Sequence, residues 1–301
     1  MTNRLLKVLV NREGGAAARA GEGLADTLRA AFAAADTAVD IALLAARDME
    51  SALKTSAGKE QRIVVAGGDG TIASAAQALS GTDTELAVLP LGTLNHFARD
   101  LGLPTDLTEA AALAAHGDAV GIDVGSVNEH LFVNNASIGL YPLMVRQRDT
   151  VRKRRGWPKW LATLPAFAYT LSHLPRHRLR VDMGQGEEPV VTPLLFVGNN
   201  LYSLDRGKVG SRDTLQDGKL SVYAVAHRTR QALIWFATRA LVGKTDRLAD
   251  FVLLGGRSGL TVRSAANSIE IALDGEVKRL ASQLHFTILP AALKVVVPAA
   301  G

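Results

Sequence analysis

Two glycine-rich turns and one acidic turn contain the residues of this chain that could do chemistry. The first turn reads Gly67-Gly68-Asp69-Gly70-Thr71 and follows an apolar run at residues 62–66. Glycines let the backbone approach an anion, a following helix offers its positive end, and a threonine adds a hydroxyl donor. The turn therefore suits a phosphate, although a single turn of this kind is more often an ordinary strand-to-helix connection. It matches neither the Walker pattern nor G-x-G-x-x-G.

A second turn of the same kind follows the next apolar run, at residues 86–89. It reads Leu91-Gly92-Thr93-Leu94-Asn95. Parallel strands bring such turns to one carboxyl edge of their sheet, where the ligands of open α/β folds bind. We therefore expect the two turns to form one site.

The acidic turn reads Asp274-Gly275-Glu276. Phosphoryl transfer to an alcohol needs a carboxylate within hydrogen-bond reach of the attacking oxygen, and either acid could supply it. Asp-Gly also strongly favours a two-residue hairpin, which is the better interpretation of this motif taken alone. Beside two convergent Gly-Thr turns, the catalytic interpretation becomes the stronger one.

An α/β domain over residues 1–125 should position the two glycine turns. Short apolar runs at residues 6–10, 62–66 and 86–89 each lead into a glycine turn, which is typical of buried parallel strands. Ala-rich stretches at residues 17–35, 71–79 and 107–116 predict covering helices, and Asp106 is placed to cap the last of them.

A different pattern begins after residue 125 and predicts a β-sandwich domain with inserted helices over residues 126–301, whose last residues could return to the first domain. Period-2 segments occupy residues 177–183, 190–197, 219–225, 260–263, 268–273 and 284–289. Helical stretches are predicted at residues 157–174, with a kink or break at Pro165, and at residues 230–242, capped by Thr229. A cleft between two such domains is the expected ligand site.

The net charge also differs between the two predicted domains. Residues 1–125 have a net charge of −6 and residues 126–301 have +11, which together give the net +5 of the chain. That total is too small to indicate a nucleic-acid-binding protein. The absence of cysteine excludes disulfides and thiolate chemistry, and we expect a cytoplasmic protein because no signal peptide or membrane span is evident.

A basic stretch at residues 146–159 precedes two tryptophans, Trp157 and Trp160. Its cations are Arg146, Arg148, Arg152, Lys153, Arg154, Arg155 and Lys159. Cations attract anionic headgroups and tryptophan favours the bilayer interface, so the stretch could dock on a membrane surface. The alternative is a solvated basic loop that leads into a helix packed on the core.

The motifs together resemble the diacylglycerol kinase catalytic-domain family, which includes bacterial lipid kinases and sphingosine kinases. The resemblance covers nearly the whole chain, and further similar motifs are Val133-Asn134-Asn135, Gly198-Asn199-Asn200 and residues 215–220. It implies an α/β nucleotide domain, a C-terminal β-sandwich, and transfer of phosphate from ATP to a lipid hydroxyl. A lipid kinase would meet its acceptor at an anionic membrane surface, which gives the basic stretch a role.

The resemblance also assigns individual residues. Nucleotide contacts fall on Asn11, Gly67, Gly68, Asp69, Gly70, Thr71, Gly92, Thr93 and Asn95. The catalytic carboxylates are Asp274, Glu276 and Asp69, and a Mg²⁺ site falls on Asp217 with the backbone near Thr214 and Lys219. The chain departs from the family at Arg12, Ala73 and His96, and the last of these thins an acidic network near the metal. From its place in the sequence, Asp123 could equally join that network or cap a turn.

Two other functions remain open at this point. An NAD kinase shares Gly-Gly-Asp-Gly-Thr and a two-domain plan, but the second Gly-Thr turn and the C-terminal acidic turn speak against it. A non-catalytic, nucleotide-responsive lipid-binding module would fit the three departures. The sequence leaves open both the lipid acceptor and the oligomeric state.

Overall fold

A four-stranded parallel sheet forms the first part of the fold. The computed structural model describes residues 5–14, 17, 21–93, 95–157, 159–172, 177–202, 212, 214–225 and 251–299. The parallel strands are β1 (Leu6–Asn11), β2 (Val39–Leu44), β3 (Arg62–Gly67) and β4 (Glu85–Pro90). Their order is β4-β3-β1-β2, so the turns after β3 and β4 emerge side by side at the carboxyl edge.

Helices cover both faces of this sheet because its side chains alternate between the faces. The helices are α1 (Leu24–Ala34), α2 (Ala46–Ser56), α3 (Asp69–Leu79), α4 (His96–Asp100) and α5 (Leu107–His116). Val8 and Val64 share one core with residues of α1 and α5. Leu9 and Val65 point the other way, into a core with residues of α2 and α3. The glycine turns are thus fixed at the ends of fully buried strands.

The remaining described strands are mostly antiparallel and join the same sheet. They are β5 (Asp118–Val127), β6 (His130–Phe132), β7 (Asn135–Gly139), β8 (His177–Asp182), β9 (Glu187–Thr192), β10 (Leu194–Asn199), β11 (Leu220–Val225), β12 (Phe251–Arg257), β13 (Gly259–Leu273) and β14 (Glu276–Val297). The long strand β14 pairs with β13 at its start, and near its end Val295 pairs in parallel with Leu86 of β4. One hydrogen-bonded network therefore runs from the acidic turn to the parallel strands.

A separate apolar core lies under these later strands. Phe132 and Phe286 meet edge-to-face in it, with ring centroids 6.5 Å apart, and aliphatic side chains from β7, β10, β11 and β13 surround them. Two further helices, α6 (Leu140–Arg155) and α7 (Lys159–Ser172), pack on each other. Among the helices that the structure describes, none is long and apolar enough to cross a membrane.

The prediction of a mixed α/β fold is confirmed, and several strand boundaries differ. The predicted strand at residues 190–197 is two strands, β9 and β10, that part at Pro193, which has no N–H for a ladder. The segments predicted at residues 260–263 and 268–273 belong to one strand, β13, with an irregularity between Arg263 and Ser268. Strand β2 and helix α2 were not predicted.

The helix predictions agree in part. Asp106 caps α5 as predicted, because its carboxylate accepts hydrogen bonds from the N–H groups of Thr108 and Glu109 at 2.9 and 3.0 Å. Helix α1 begins at Leu24 after a 3₁₀ turn, later than predicted, and α7 continues through Pro165 without a break. The helix predicted at residues 230–242 and its cap Thr229 lie outside the described residues.

Candidate active site

Close contacts of Thr71 with Gly67, Gly68 and Asn11 fix the conformation of the first glycine turn. Thr71 is buried, its N–H donates to the Gly68 carbonyl at 2.9 Å, and its hydroxyl accepts from the Asn11 amide at 2.9 Å. A Cβ on Gly67 would lie 2.6 Å from the Thr71 side chain. Asn11 at the end of β1 therefore meets the turn after β3, and its contact with a nucleotide stays a prediction. Gly70 is exposed, and within the part of the chain that the structure describes no residue outside its own helix lies near the position of its missing Cβ.

The second turn depends on Asn95, whose backbone is left-handed with φ 48°. Its side-chain oxygen accepts from the Gly92 N–H at 2.9 Å, and its amide donates to the carbonyls of Gly92 and Pro90 at 3.1 and 3.2 Å. These side-chain hydrogen bonds close the turn, and the contact between Asn95 and a nucleotide stays a prediction. Thr93 is exposed at the tip of the turn.

The two turns touch each other. A Cβ on Gly92 would lie 2.6 Å from the Cα of Gly68, and the Leu91 N–H donates to the Gly67 carbonyl at 3.0 Å. The Asp69 carboxylate faces the start of α4, where it accepts a long hydrogen bond of 3.4 Å from the Phe97 N–H. The predicted convergence is therefore present, and the binding of phosphate there stays a prediction.

The acidic turn is both a hairpin and an anchor that backbone N–H groups hold in place. Asp274 and Gly275 form the two-residue connection between β13 and β14, with φ values of 46° and 90°, as a type I′ turn requires. The Asp274 carboxylate accepts hydrogen bonds from three successive N–H groups, those of Val133, Asn134 and Asn135, at 2.8, 2.8 and 3.0 Å. Burial raises the pKa of Asp274, and these N–H groups oppose that rise.

Glu276 stands on the other side of the turn and is exposed. It is the first residue of β14 and lies opposite Leu273 in the hairpin register. Its carboxylate forms no hydrogen bond or ion pair within the part of the chain that the structure describes. The two acids of the motif therefore differ, because one is fixed by the backbone and the other is free to meet a substrate.

Tyr141 at the start of α6 links the acidic turn to the glycine turns. Its hydroxyl lies 3.7 Å from the position that a Cβ on Gly275 would occupy. Burial raises the pKa of Tyr141, Arg148 lowers it, and Asp274 and Asp69 raise it further. Both carboxylates therefore contribute to the electrostatic environment of this hydroxyl. Sequence reasoning missed Tyr141 because no motif around it signals a role.

Comparison with known proteins identifies the family. A model of the diacylglycerol kinase catalytic domain matches residues 5–127. A probable lipid kinase YegS-like from Pseudomonas aeruginosa is 32% identical over 253 residues, which cover 79% of this chain and 76% of that protein. The chain belongs to the diacylglycerol kinase catalytic-domain family.

Further relatives agree with this membership. A diacylglycerol kinase from Bacillus subtilis is 28% identical to the chain over 240 residues, 77% of this chain and 76% of that protein. The crystal structure of a putative diacylglycerol kinase from Bacillus anthracis has the same fold, with a TM-score of 0.72, 21% identity, and coverage of 99% of this chain and 98% of that one. The chain thus shares its fold with diacylglycerol kinases along nearly its entire length.

The metal site that the family implies falls on a turn between Thr214 and Lys219. Asp217 is half-buried there, and one of its oxygens accepts a long hydrogen bond of 3.4 Å from the Leu201 N–H. Thr214 and Lys219 are exposed. One carboxylate with backbone carbonyls close in sequence is an oxygen donor set that suits a Mg²⁺ ion retaining several waters. Among the described residues there is no cluster of three or more acidic or histidine side chains.

Asp123 is a buried anchor beneath that turn. Its carboxylate accepts from the N–H groups of Gly218 and Ala291 at 2.7 and 3.0 Å and from the Asn200 side-chain amide at 2.8 Å. Asp123 is 3% exposed, so nearly all of its hydrogen bonding is to protein. The geometry favours the structural interpretation of this residue, because it ties a bend of β14 to the turn that contains Asp217.

Replacing Asp123 by alanine should strongly destabilise the fold. One buried and two part-buried donors would lose their acceptor. A buried unpaired donor costs about 1–3 kcal/mol, and with the two part-buried donors at about 1 kcal/mol each we expect a loss of roughly 3–5 kcal/mol of unfolding free energy. Thermal and urea unfolding would measure it. Asp106→Ala is the matched control, because that exposed cap also accepts two N–H groups and should cost only about 1 kcal/mol. Equal losses in the two variants would contradict the anchoring role.

The basic stretch is helical through Arg155, which differs from the solvated loop that was the alternative to a membrane dock. Residues 146–155 form the second half of α6, which ends where Gly156 adopts φ 65°. Arg146 pairs with Glu270 at 3.0 Å, and Arg148 is largely buried and pairs with Asp149 at 3.1 Å. Arg152, Lys153 and Arg154 are exposed and form the outward basic patch of α6.

Proposed function

We propose that the protein is an ATP- and Mg²⁺-dependent lipid kinase that transfers the γ-phosphate to a lipid hydroxyl such as that of diacylglycerol. The observation that carries this proposal is the contact between Gly68 and Gly92, which joins the two phosphate-type turns. The hairpin of Asp274 and Glu276 supplies the other part that this reaction needs, a carboxylate that can act as the base. The names of the relatives, lipid kinase and diacylglycerol kinase, support the same choice.

The glycine turns would hold the phosphates of ATP. Backbone N–H groups at the start of α3, with the positive end of that helix, favour anions. Asp69 lies at the same place, where its charge would repel phosphate unless a cation lay between them. Mg²⁺, when bound with ATP, supplies that neutralisation. Asp69 is therefore assigned to orient the metal-nucleotide complex, and Asp217 with its turn to a structural Mg²⁺.

Glu276 is the residue we assign as general base. A base must offer a lone pair to the hydroxyl proton of the lipid, and the Glu276 carboxylate is exposed and uncommitted within the described part of the chain. Asp274 has both oxygens occupied by backbone N–H groups. We therefore assign Asp274 to holding the hairpin in place, so that Glu276 faces the hydroxyl.

The C-terminal region would meet the lipid. In this proposal residues 1–125 form the nucleotide domain and residues 126–301 form the β-sandwich substrate domain, whose last strand returns to the first domain where Val295 pairs with Leu86. The protein acts in the cytoplasm as a peripheral membrane enzyme. The outward basic patch of α6, with Trp157 just beyond it, would face anionic headgroups, to which cations are attracted and near which tryptophan is favoured. This arrangement leaves the acidic nucleotide domain away from the membrane.

Removing the outward basic patch should weaken membrane binding. Each cation near an anionic surface contributes about 1 kcal/mol, so Arg152→Ala, Lys153→Ala and Arg154→Ala together should reduce vesicle affinity by about 100-fold. Sedimentation with phosphatidylglycerol vesicles would measure the change, which high salt should reproduce in the parent protein. Three exposed cations of the first domain provide the control when replaced by alanine, namely Arg29, Arg47 and Lys54. An equal loss in the control, or binding that ignores salt, would contradict the assignment.

A phosphate-transfer assay tests the proposed function directly. Purified protein with Mg²⁺ and γ-labelled ATP is incubated with mixed vesicles or micelles that contain diacylglycerol, monoacylglycerol, a sphingoid base or a glycerophospholipid. We expect label in at least one lipid and none when Mg²⁺ is chelated. NAD is assayed beside the lipids, and phosphorylation of NAD alone would overturn the proposal. Vesicle binding without transfer to any of these lipids would favour the non-catalytic module.

A further inference from the structure

Arg212 is a fully buried cation whose guanidinium connects separate parts of the chain. Its Nε donates to Oδ2 of Asp100 at 2.8 Å, and its Nη2 lies 2.7 Å from the same oxygen in an ion pair. Nη1 donates to the carbonyls of Val133 and Asn199 at 2.6 and 3.1 Å, and Nη2 donates to the Asn134 side chain at 2.9 Å. Its guanidinium carbon lies 5.4 Å from the centre of the Tyr202 ring.

Stability alone is a weak reason for such an arrangement. Taking two charges out of water is expensive, and apolar side chains of similar volume often serve a core equally well. What a guanidinium provides is a rigid, planar set of donors that fixes the directions of its partners. The partners of Arg212 all lie next to the candidate active site, and they come from segments far apart in the sequence.

A continuous series of contacts runs through Arg212 from the glycine turns to the acidic turn. Asp69 of the first turn accepts from Phe97 at the start of α4, and Asp100 is the last residue of the same short helix. Arg212 joins Asp100 to the carbonyl of Val133. The N–H groups of residues 133–135 in turn hold the Asp274 carboxylate.

The segment at residues 133–135 therefore makes hydrogen bonds in two directions, to Arg212 and to Asp274. Residues 133–135 present carbonyl and side-chain oxygens to Arg212, and the Tyr202 hydroxyl donates to the Asn134 carbonyl at 3.0 Å. Their N–H groups point to Asp274. A shift of this segment would move the hairpin and with it Glu276, since only Gly275 separates the two acids.

We infer that Arg212 is a positioning residue that sets the acidic hairpin relative to the nucleotide turns. This inference rests on the proposed kinase function for its kinetic effect, while its structural effect can be measured without any activity. When Arg212 is lost, ATP still meets an intact pair of glycine turns, but the carboxylate that must reach the lipid hydroxyl is misplaced. A misplacement of about 1 Å is sufficient to reduce a rate by about 10²-fold.

The test compares Arg212→Met with Arg62→Met, which removes a similar cluster far from the site. Arg62 pairs with Glu85 at 2.7 Å and donates to the carbonyls of Ala114, Ala115 and Gly117. It lies at the amino end of β3, whereas the glycine turns follow the carboxyl end, roughly 17 Å away along an extended strand. Both variants should have lowered melting temperatures, because each leaves a largely buried carboxylate without its cation.

Kinetics should separate the two variants. At a temperature where both are folded, we expect Arg212→Met to lower kcat by about 10²-fold with ATP affinity changed less than about threefold, and Arg62→Met to leave both nearly unchanged. Arg212→Lys, which keeps the charge but loses the planar donors, should fall between. If Arg212→Met loses thermal stability while kcat per folded molecule stays at the parent value, the inference is overturned.

Two further measurements keep the test decisive. If Arg212→Met does not fold, the double variant with Asp100→Asn removes the unpaired charge and should fold with the same low kcat; a normal kcat would overturn the inference. Hydrogen exchange of the amides of residues 133–135 should accelerate in Arg212→Met and not in Arg62→Met. Unchanged exchange there contradicts the inference, whereas a parent protein that phosphorylates no lipid contradicts only the proposed function.

Discussion

Replacing Glu276 by glutamine should lower kcat for lipid phosphorylation by about 10²–10⁴-fold, the usual contribution of a general base. The amide cannot accept the hydroxyl proton, and the change leaves the size of the side chain and the hairpin turn intact. Because Glu276 is exposed, the melting temperature should change little. The measurement is kcat at saturating ATP and lipid, with nucleotide affinity determined separately by equilibrium titration.

Asp274→Asn is the comparison that separates the two acids. An asparagine presents one acceptor oxygen where the carboxylate presents two, so at least one of the three N–H donors would lose its partner. We expect a lower melting temperature together with a lower kcat, whereas Glu276→Gln affects kcat alone. If Glu276→Gln retains the parent rate while Asp274→Asn is folded and inactive, the base is Asp274 and our assignment is wrong.

The place of the site could be predicted because it follows from local rules. Strands β3 and β4 are buried apolar runs, each followed by a glycine turn, and adjacent parallel strands bring such turns to one edge. The contact between Gly68 and Gly92 confirms that step. Asp274-Gly275 likewise favours a hairpin from its residue types alone, and the hairpin is present.

The supporting residues could not be predicted, because their contacts join segments far apart in the chain. Asp100 and Arg212 are separated by 112 positions, and Asp274 and Val133 by 141. No periodicity encodes such a pair. The turn-closing role of Asn95 was not predicted for a related reason, since the sequence shows a polar side chain beside a glycine turn but not that its hydrogen-bond partners are in the turn itself.

The sequence also did not show which cations of the basic stretch are exposed and which are buried. Its charges indicated an exposed surface, and three consecutive cations of α6 are indeed exposed. Arg148 from the same stretch instead has only 12% of its side chain exposed, and it lowers the pKa of Tyr141 beside the acidic turn. The sequence-based interpretation placed all of these cations on one exposed surface. In the structure Arg152, Lys153 and Arg154 face solvent, whereas Arg148 is largely buried and influences Tyr141.

Gly92→Ala should reduce kcat/KM for ATP by about 10²-fold. The new Cβ would lie 2.6 Å from the Cα of Gly68, a backbone atom that cannot rotate away, so the two turns must separate by close to 1 Å. We also expect a loss of about 1–3 kcal/mol of unfolding free energy from overpacking. Gly23→Ala is the control, because its φ is −72° and no protein atom lies near its Cβ position. An unchanged kcat/KM in Gly92→Ala would show that the contact between the turns does not shape the nucleotide site.

A companion variant separates damage to the fold from obstruction of the ligand. Gly70 lies in the first turn of α3. Apart from its chain neighbours and the backbone of its own helix, no atom of the described residues lies within 4 Å of the Cβ that alanine would add there. Alanine in a helix is more stable than glycine by about 0.5–1 kcal/mol, so Gly70→Ala should unfold at a higher temperature than the parent protein. If the phosphates of ATP occupy that open space, the same methyl group must weaken ATP binding. A higher melting temperature together with weaker ATP binding cannot result from damage to the fold, so it would place the phosphates near Gly70. Unchanged ATP affinity would remove Gly70 from the proposed site.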